Sequence, residues 1–223
     1  MIVLGLEGAL GGFSAAIARD GEIVAAQALD GNVALEAGLG ALAQLLLDAR
    51  VEAPQLDRLA VGVGPGGFTG LRITIAYAKS LAQAWERPLV AISSFDTLEF
   101  GRTLARVLTV VVGRPGVISA RYRAPGAGAR ASGRIGEVLP EVLLGIEPDG
   151  LPVIGASKDV LSALAEGGWT VSALAPLVTP PAAAVALLGV STPAAASAHE
   201  VRADYGELPA AKVPRFDPTR RTR

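Results

Sequence analysis

The stretch GVGPGGFTGLRI, Gly62 to Ile73, places five glycines and a proline between an apolar run and a helix-like pattern. A strand that breaks into glycines and resumes at once with helical spacing commits the chain to a strand–loop–helix unit, the connection that joins parallel strands. Gly62, Gly64 and Gly67 also fit G-x-G-x-x-G, a spacing that lets backbone amides approach a pyrophosphate at a helix N-terminus. A Walker A loop is excluded, because Phe68 stands where that loop needs lysine. A Rossmann fingerprint fits poorly: three strands and a helix precede the loop, and residue 87 is arginine rather than the acid that binds ribose. Against a dinucleotide enzyme stands a tight strand-to-helix connection whose glycines take positive φ and whose Thr69 hydroxyl caps the helix.

The elements around the loop follow from periodicity. MIVLGLE, GFSAAIARD and EIVAAQAL read as strands joined by short turns, and Asp20-Gly21 is a hairpin signal, so the chain opens with an antiparallel meander. Leu35, Leu39, Leu42 and Leu46 form a helical stripe, followed by the strand LAVGVG, the loop, a helix from about 69 to 85, the strand PLVAIS and a short helix near Phe95. The order is βββαβαβα. In the second half VLTVVV, VISARYR, LPVIG and WTVSAL read as strands, EVLPEVL as a short amphipathic segment and SKDVLSALAEGG as a capped helix. RAPGAGARASGRIG is Gly/Ala/Arg-rich and reads as a mobile loop.

A chain of 223 residues, 51% hydrophobic, fits two small domains with sizeable cores. The expected division is 1–100, 101–200 and a tail over 201–223. With no cysteine and the single histidine His199 in a small-residue stretch, disulfides, thiolate nucleophiles and cysteine-ligated metal are excluded, and a histidine-based triad has a poor start. No apolar run is long enough to span a bilayer, and MIVLGLEGAL lacks the basic start of a signal peptide, so a soluble, cytoplasmic protein is expected. Residues 1–100 carry 6 basic and 11 acidic side chains, whereas 101–223 carry 14 and 10. Four of the basic ones lie in the final RFDPTRRTR, which reads as a solvated tail.

GVGPGGFTGLRI, following the meander and first helix, resembles the GPGSFTGLRIG signature of the TsaB (YeaZ) family of tRNA threonylcarbamoyladenosine biosynthesis proteins. The resemblance covers residues 1 to about 100, continues by element order, and leaves EVRADYGELPAAK near the family's P-x-Y-L-R region. It implies an α/β, two-domain actin/hexokinase/Hsp70-like (ASKHA) fold, each domain a mixed sheet with an antiparallel meander and flanking helices. It further implies a bacterial non-catalytic subunit that pairs with its paralogue TsaD, and with the ATPase TsaE, to modify the adenosine beside the tRNA anticodon. In the absence of TsaD, a homodimer and a monomer both stay open.

The chain departs from the family pattern where nucleotide chemistry would sit. The first-strand Asp-Thr of nucleotide-binding relatives is Glu7-Gly8, the histidine before the first helix is missing from DGNVALEAG, and the second domain's Asp-Ala-Arg is Val112-Gly113-Arg114. Without paired carboxylates near the phosphates, Mg²⁺ and water have no organised ligands. We therefore expect no catalytic residue, no metal and no required cofactor, with weak ATP or ADP contact through Gly64, Pro65, Gly66, Gly67 and Thr69 as the residual option. An active ATPase or phosphotransferase of the same fold is the alternative.

Recognition surfaces then carry the function. Leu71, Ile75, Ala78, Ala82 and Trp85 share one stripe of the second helix, and Ile73, Tyr77, Leu81 and Ala84 a second one roughly opposite. A helix with two apolar faces meets a further element on its far side. The expected partner interface is Leu35, Leu39, Leu42, Leu46, Leu71, Ile75, Tyr77 and Leu81; the family's use of these helices to meet TsaD, or a second copy, favours it over burial within the chain.

Overall fold

The meander forms as read: β1 (Ile2–Glu7), β2 (Phe13–Arg19) and β3 (Glu22–Leu29) pair antiparallel, with Leu4 opposite Ile17 and Phe13 opposite Leu29. This computed structural model describes residues 1–29 and 34–206, with the side chains of 34–36 left aside. The Asp20-Gly21 hairpin has φ of 52° and 86° at its two residues, the left-handed pair that Asp-Gly tolerates. Helix α1 (Ala34–Asp48) leads through a single 3₁₀ turn to β4 (Arg58–Gly62), which lies parallel to β1. Helix α2 (Phe68–Ala84) crosses to β5 (Leu89–Ile92), parallel to β4, and α3 (Ser94–Glu99) follows. The sheet order is β3-β2-β1-β4-β5. Edge strand β3 alternates exposed with half-buried residues, whereas β4 is almost wholly buried, as a parallel strand covered on both faces must be.

The second half repeats this architecture. β6 (Val107–Arg114), β7 (Val117–Ala124) and β8 (Ala127–Arg134) form a meander; α4 (Ile135–Val142), β9 (Leu151–Ile154), α5 (Lys158–Glu166) and β10 (Val171–Leu174) complete a sheet of order β10-β9-β6-β7-β8. Both sheets therefore place their first strand centrally, with the meander to one side and the parallel strands to the other. The expected mobile loop RAPGAGARASGRIG is corrected: it is the hairpin turn at Pro125-Gly126, the whole of β8 and the start of α4. β8 has no large apolar side chain to signal a strand, and its pairing with β7, Val117 opposite Arg134 through Ala124 opposite Ala127, is supplied by backbone.

Position in the chain and position in the fold diverge at α6 (Pro181–Ser191), which packs not on the second sheet but on the first. Ala182, Ala183, Val185 and Ala186 meet Val3, Ala16, Ala18, Ala60, Val90 and Ile92. The alanines follow from the closeness of approach: a Cβ on Gly5 of β1 would stand 2.5 Å from the Ala182 carbonyl oxygen, and one on Gly189 would stand 2.6 Å from Ala60 Cβ. On the opposite face, α1 and α2 cover the sheet through Leu42, Leu45, Leu71, Ile75, Ala78 and Ala82. The first sheet is thus the middle of three layers, its covering drawn from both ends of the chain.

Candidate functional site: the glycine loop and the seam between the two sheets

The loop's glycines are spaces for other backbone. A Cβ on Gly66 (φ 156°) would overlap the Ala9 carbonyl, one on Gly64 (φ 95°) the Asp204 carbonyl, and one on Gly70 the Gly8 carbonyl. The loop's polar groups are engaged in the same way: Gly67 N–H donates to the Ala9 carbonyl (2.8 Å), and the Gly64 carbonyl accepts from Ser94 N–H (2.8 Å). The β1–β2 turn, the loop and the segment Val201–Gly206 are therefore a three-way backbone junction. Helix α2 begins one residue earlier than expected, with Gly67 at its N-cap and no side-chain cap bond, so the expectation that Thr69 caps it is corrected. Thr69 lies inside the first turn, past the position from which a hydroxyl can cap, and is exposed.

Glu7 is buried at the end of β1, and its carboxylate curls back over the turn that follows. Oε1 accepts from Ala9 N–H (2.7 Å) and Leu10 N–H (3.2 Å), and Oε2 accepts from Leu10 N–H (3.1 Å). Burial raises its pKa to about 7, against the opposing effect of the Leu10, Ala9 and Gly8 amides. Gly62 makes the room, since a Cβ there would stand 2.9 Å from Glu7 Cγ and Oε1. On the second sheet, Gly113 faces the Gly66 carbonyl, and the neighbouring Val112 is 40% exposed. Among the described residues, no three of His, Cys, Asp and Glu gather as a metal site.

The seam is closed by apolar and ionic contacts. Leu10, at the tip of the β1–β2 turn, packs with Phe95 and Leu98 of α3, Val107 and Val111 of β6 and Ile154 of β9. Beside it Glu99 is almost buried and accepts from the Thr109 hydroxyl (2.6 Å), Arg121 (2.9 Å) and both Nε (3.0 Å) and Nη2 (2.8 Å) of Arg123. Burial pushes the Glu99 pKa up, but Thr109 and the two guanidiniums outweigh it and hold the carboxyl below its ordinary value. Arg121 also pairs with Asp96 (2.7 Å), and the guanidiniums of Arg121 and Arg130 lie over the Phe95 ring at 4.9 and 5.1 Å. The final described residues complete the closure. Asp204 N–H donates to the Val63 carbonyl (2.7 Å), its carboxylate pairs with Arg130, and Gly206 sits among Ser119, Ser132 and Pro65.

None of Glu99, Asp204 and Arg130 was singled out by sequence, because their partners lie far along the chain. The only signal was the spacing of Arg121 and Arg123, which share one face of a strand. The expected interface residues separate into groups. Leu42, Leu71 and Ile75 are 3%, 0% and 7% exposed in the chain's own core, which corrects the expectation that they meet a partner. The cause is that α1 and α2 lie side by side on one face of the sheet, α1 against β2 and β3 and α2 against β4 and β1. Leu46, Tyr77 and Leu81 are half-buried against the same core, with Tyr77 edge-on to Phe13 at 6.4 Å, so the second stripe of α2 is partly covered within the chain. Leu39 is 46% exposed and Leu47, on the same helix, 71%. The Leu35 side chain, and the chain from 207 on with its arginine-rich tail, lie outside the described residues.

Two mixed sheets of identical order, each with an opening meander and flanking helices, define an α/β protein of the two-domain actin/hexokinase/Hsp70-like fold. The model of the family TsaD, tRNA N6-adenosine threonylcarbamoyltransferase, matches residues 35–139. The chain is 40% identical over 58 residues to the tRNA threonylcarbamoyladenosine biosynthesis protein TsaB of Bacillus subtilis, covering 26% of this chain and 25% of that protein. It is 30% identical over 122 residues to TsaB of Escherichia coli, 53% of each. The matches thus span from about a quarter to about half of the length of these relatives. In structure it is similar to YeaZ from Pseudomonas aeruginosa, with a TM-score of 0.71 at 20% identity over 92% of this chain and 99% of that one. The resemblance to TsaB (YeaZ) read from the glycine loop holds in sequence and in fold. Among the described residues no helix is long and apolar enough to cross a membrane.

Proposed function

We propose that this protein is a partner subunit in tRNA threonylcarbamoyladenosine biosynthesis, which pairs with a TsaD-type transferase and does not itself turn over nucleotide. The observation that carries the reading is the sequence likeness to two TsaB proteins laid over a fold matching YeaZ almost end to end. The geometry supports the non-catalytic part. The Glu7 carboxylate beside Gly62 accepts from the amides of its own turn, residue 112 is valine rather than an acid, and the glycine loop meets protein backbone. In this reading the protein is cytoplasmic, needs no cofactor, meets TsaE through the complex, and contacts ATP or ADP at most weakly at the partner interface. The exposed outer face of α1, with Leu39 and Leu47, and the half-buried Tyr77 and Leu81 of α2 form the surface for TsaD or for a second copy.

Two measurements test this. Purified protein given ATP and Mg²⁺ should show no turnover above background; a rate of order 1 s⁻¹, ordinary for an enzyme, would instead establish an ATPase or phosphotransferase of the same fold. Mixing with a TsaD protein should raise the mass in solution to that of a hetero-complex, and two unchanged masses would end the partner reading.

A further inference from the structure

Among the described residues, the two exposed large aromatic side chains are Phe68, 57% exposed, and Tyr205, 41% exposed, and they touch. Their ring centroids are 5.2 Å apart, with planes inclined by 36°. Single apolar residues are normal on a surface, but two adjoining rings brought together from distant parts of the chain and left to water mark a surface with a use. The Arg72 guanidinium lies over the Phe68 ring at 5.1 Å. Arg72 is exposed, and α2 contains no acidic residue along its length to pair with it. The acid next to Tyr205, Asp204, is already engaged by Arg130 and by Gly206 N–H (2.9 Å). Through Asp204 the alternation of ring and cation continues, since Arg130, its side chain 44% exposed, lies over Phe95. Beyond Gly206 the sequence runs into residues 207–223, which hold five basic and two acidic side chains.

We propose that the surface formed by Phe68, Arg72 and Tyr205 is a contact site for unpaired nucleotides of RNA, with a base stacked on the rings and the guanidiniums of Arg72 and Arg130 facing the phosphates. The chemistry fits that ligand: an aromatic face stacks on any base, and arginine supplies both a planar surface and a charge for phosphate. A duplex keeps its bases stacked inward and would leave the rings unused, and an acidic protein segment would engage the cations alone. The proposal rests on the reading of the protein as a subunit in tRNA modification and deepens it by naming where this chain meets the RNA. The rings stand on the first turn of α2 and on the segment Val201–Gly206, whereas Leu39 and Leu47 stand on α1, so the two surfaces can be altered separately.

The test uses the full chain and a fluorescently labelled RNA stem-loop, with the blunt duplex of the same stem for comparison, titrated by anisotropy at several salt concentrations. The wild type should bind the stem-loop more tightly than the duplex. Phe68→Leu and Tyr205→Leu keep apolar bulk but remove the ring. Each should weaken stem-loop binding by about fivefold or more, the lower end for one lost base stack, with the melting curve unchanged. Tyr205→Phe, which keeps the ring, should bind like the wild type. Arg72→Gln should lessen the slope of log K against log salt by about 0.7, the value of one phosphate contact on a single strand. A wild type that binds no stem-loop at low salt, or binds the duplex equally well, overturns the proposal, and so do folded leucine variants with wild-type affinity. Leucine variants that keep RNA but no longer shift the mass with TsaD overturn it too, by making the surface a protein interface. If a leucine variant does not fold, Arg72→Gln decides, and an unchanged salt slope overturns the proposal. RNA binding is read on the protein alone and pairing with TsaD by mass, so failure here is separable from failure of the proposed function.

Discussion

Gly70, in the first turn of α2, lies directly against Gly8 at the end of β1, so close that a Cβ on Gly70 would overlap the Gly8 carbonyl oxygen. The contact joins the glycine loop to the β1–β2 turn and needs glycine at 70 for space, since no positive φ is involved there.

Gly70→Ala should therefore destabilise the protein by about 1–3 kcal/mol or more, the range for forcing extra atoms into a packed site that cannot give way. Gly40→Ala is the control. Gly40 is a helical glycine with open space around its Cβ position, and the same change there should stabilise by up to about 1 kcal/mol. Denaturant midpoints of the two variants should move in opposite directions; a common direction would refute the packing role of Gly70.

Stability should have a maximum in mildly acid solution. The folded-state pKa of Glu7, about 7, exceeds its ordinary value of 4.5, so between these values the folded state holds more protons than the unfolded chain. Stability then falls as pH rises through that window, by on the order of 3 kcal/mol. Glu99 acts with the opposite sign. Its folded pKa is depressed, so its contribution is present above the ordinary 4.5 and is lost as pH falls through the folded value. Unfolding measured from pH 2 to pH 8 should show both limbs, and Glu7→Gln should remove the decline on the alkaline side alone.

Glu99 also couples the two sheets. Thr109→Val removes one hydroxyl bond and should cost about 1 kcal/mol, whereas Glu99→Ala leaves the Thr109 hydroxyl and two guanidiniums without their shared acceptor and should cost more, about 2–3 kcal/mol. Combining the two should cost less than the sum of the single changes, because both act on one network. Strict additivity in a double-mutant cycle would show that Thr109 and Glu99 are not coupled.

For the proposed partner surface, burial sorts the substitutions. Leu71→Arg and Ile75→Arg place a charge in the core and should unfold the protein. Leu39→Arg and Leu47→Glu change exposed positions and should keep the melting curve within about 0.5 kcal/mol of the wild type while weakening association with TsaD. Unchanged affinity and oligomeric state in both folded variants would place the interface elsewhere.

The meander, the loop and the alternation of strands and helices were legible in the sequence because they are local: Asp20-Gly21 names its own turn, and the stripes of α1 and α2 name their periods. β8 was not legible, since AGARASGR carries no apolar alternation and is held as a strand by its ladder to β7. The family signature was equally plain, but not what its glycines do. Whether Gly64, Gly66 and Gly70 receive a phosphate or another stretch of backbone depends on Asp204, Ala9 and Gly8, which only the tertiary structure brings against them. The second stripe of α2 shows the same division. The sequence by itself determined that two faces are apolar, because side-chain periodicity is a property of the helix alone. Only the tertiary structure decided that Leu71 and Ile75 face the sheet and that Tyr77 rests on Phe13, because burial depends on which elements arrive from elsewhere in the chain.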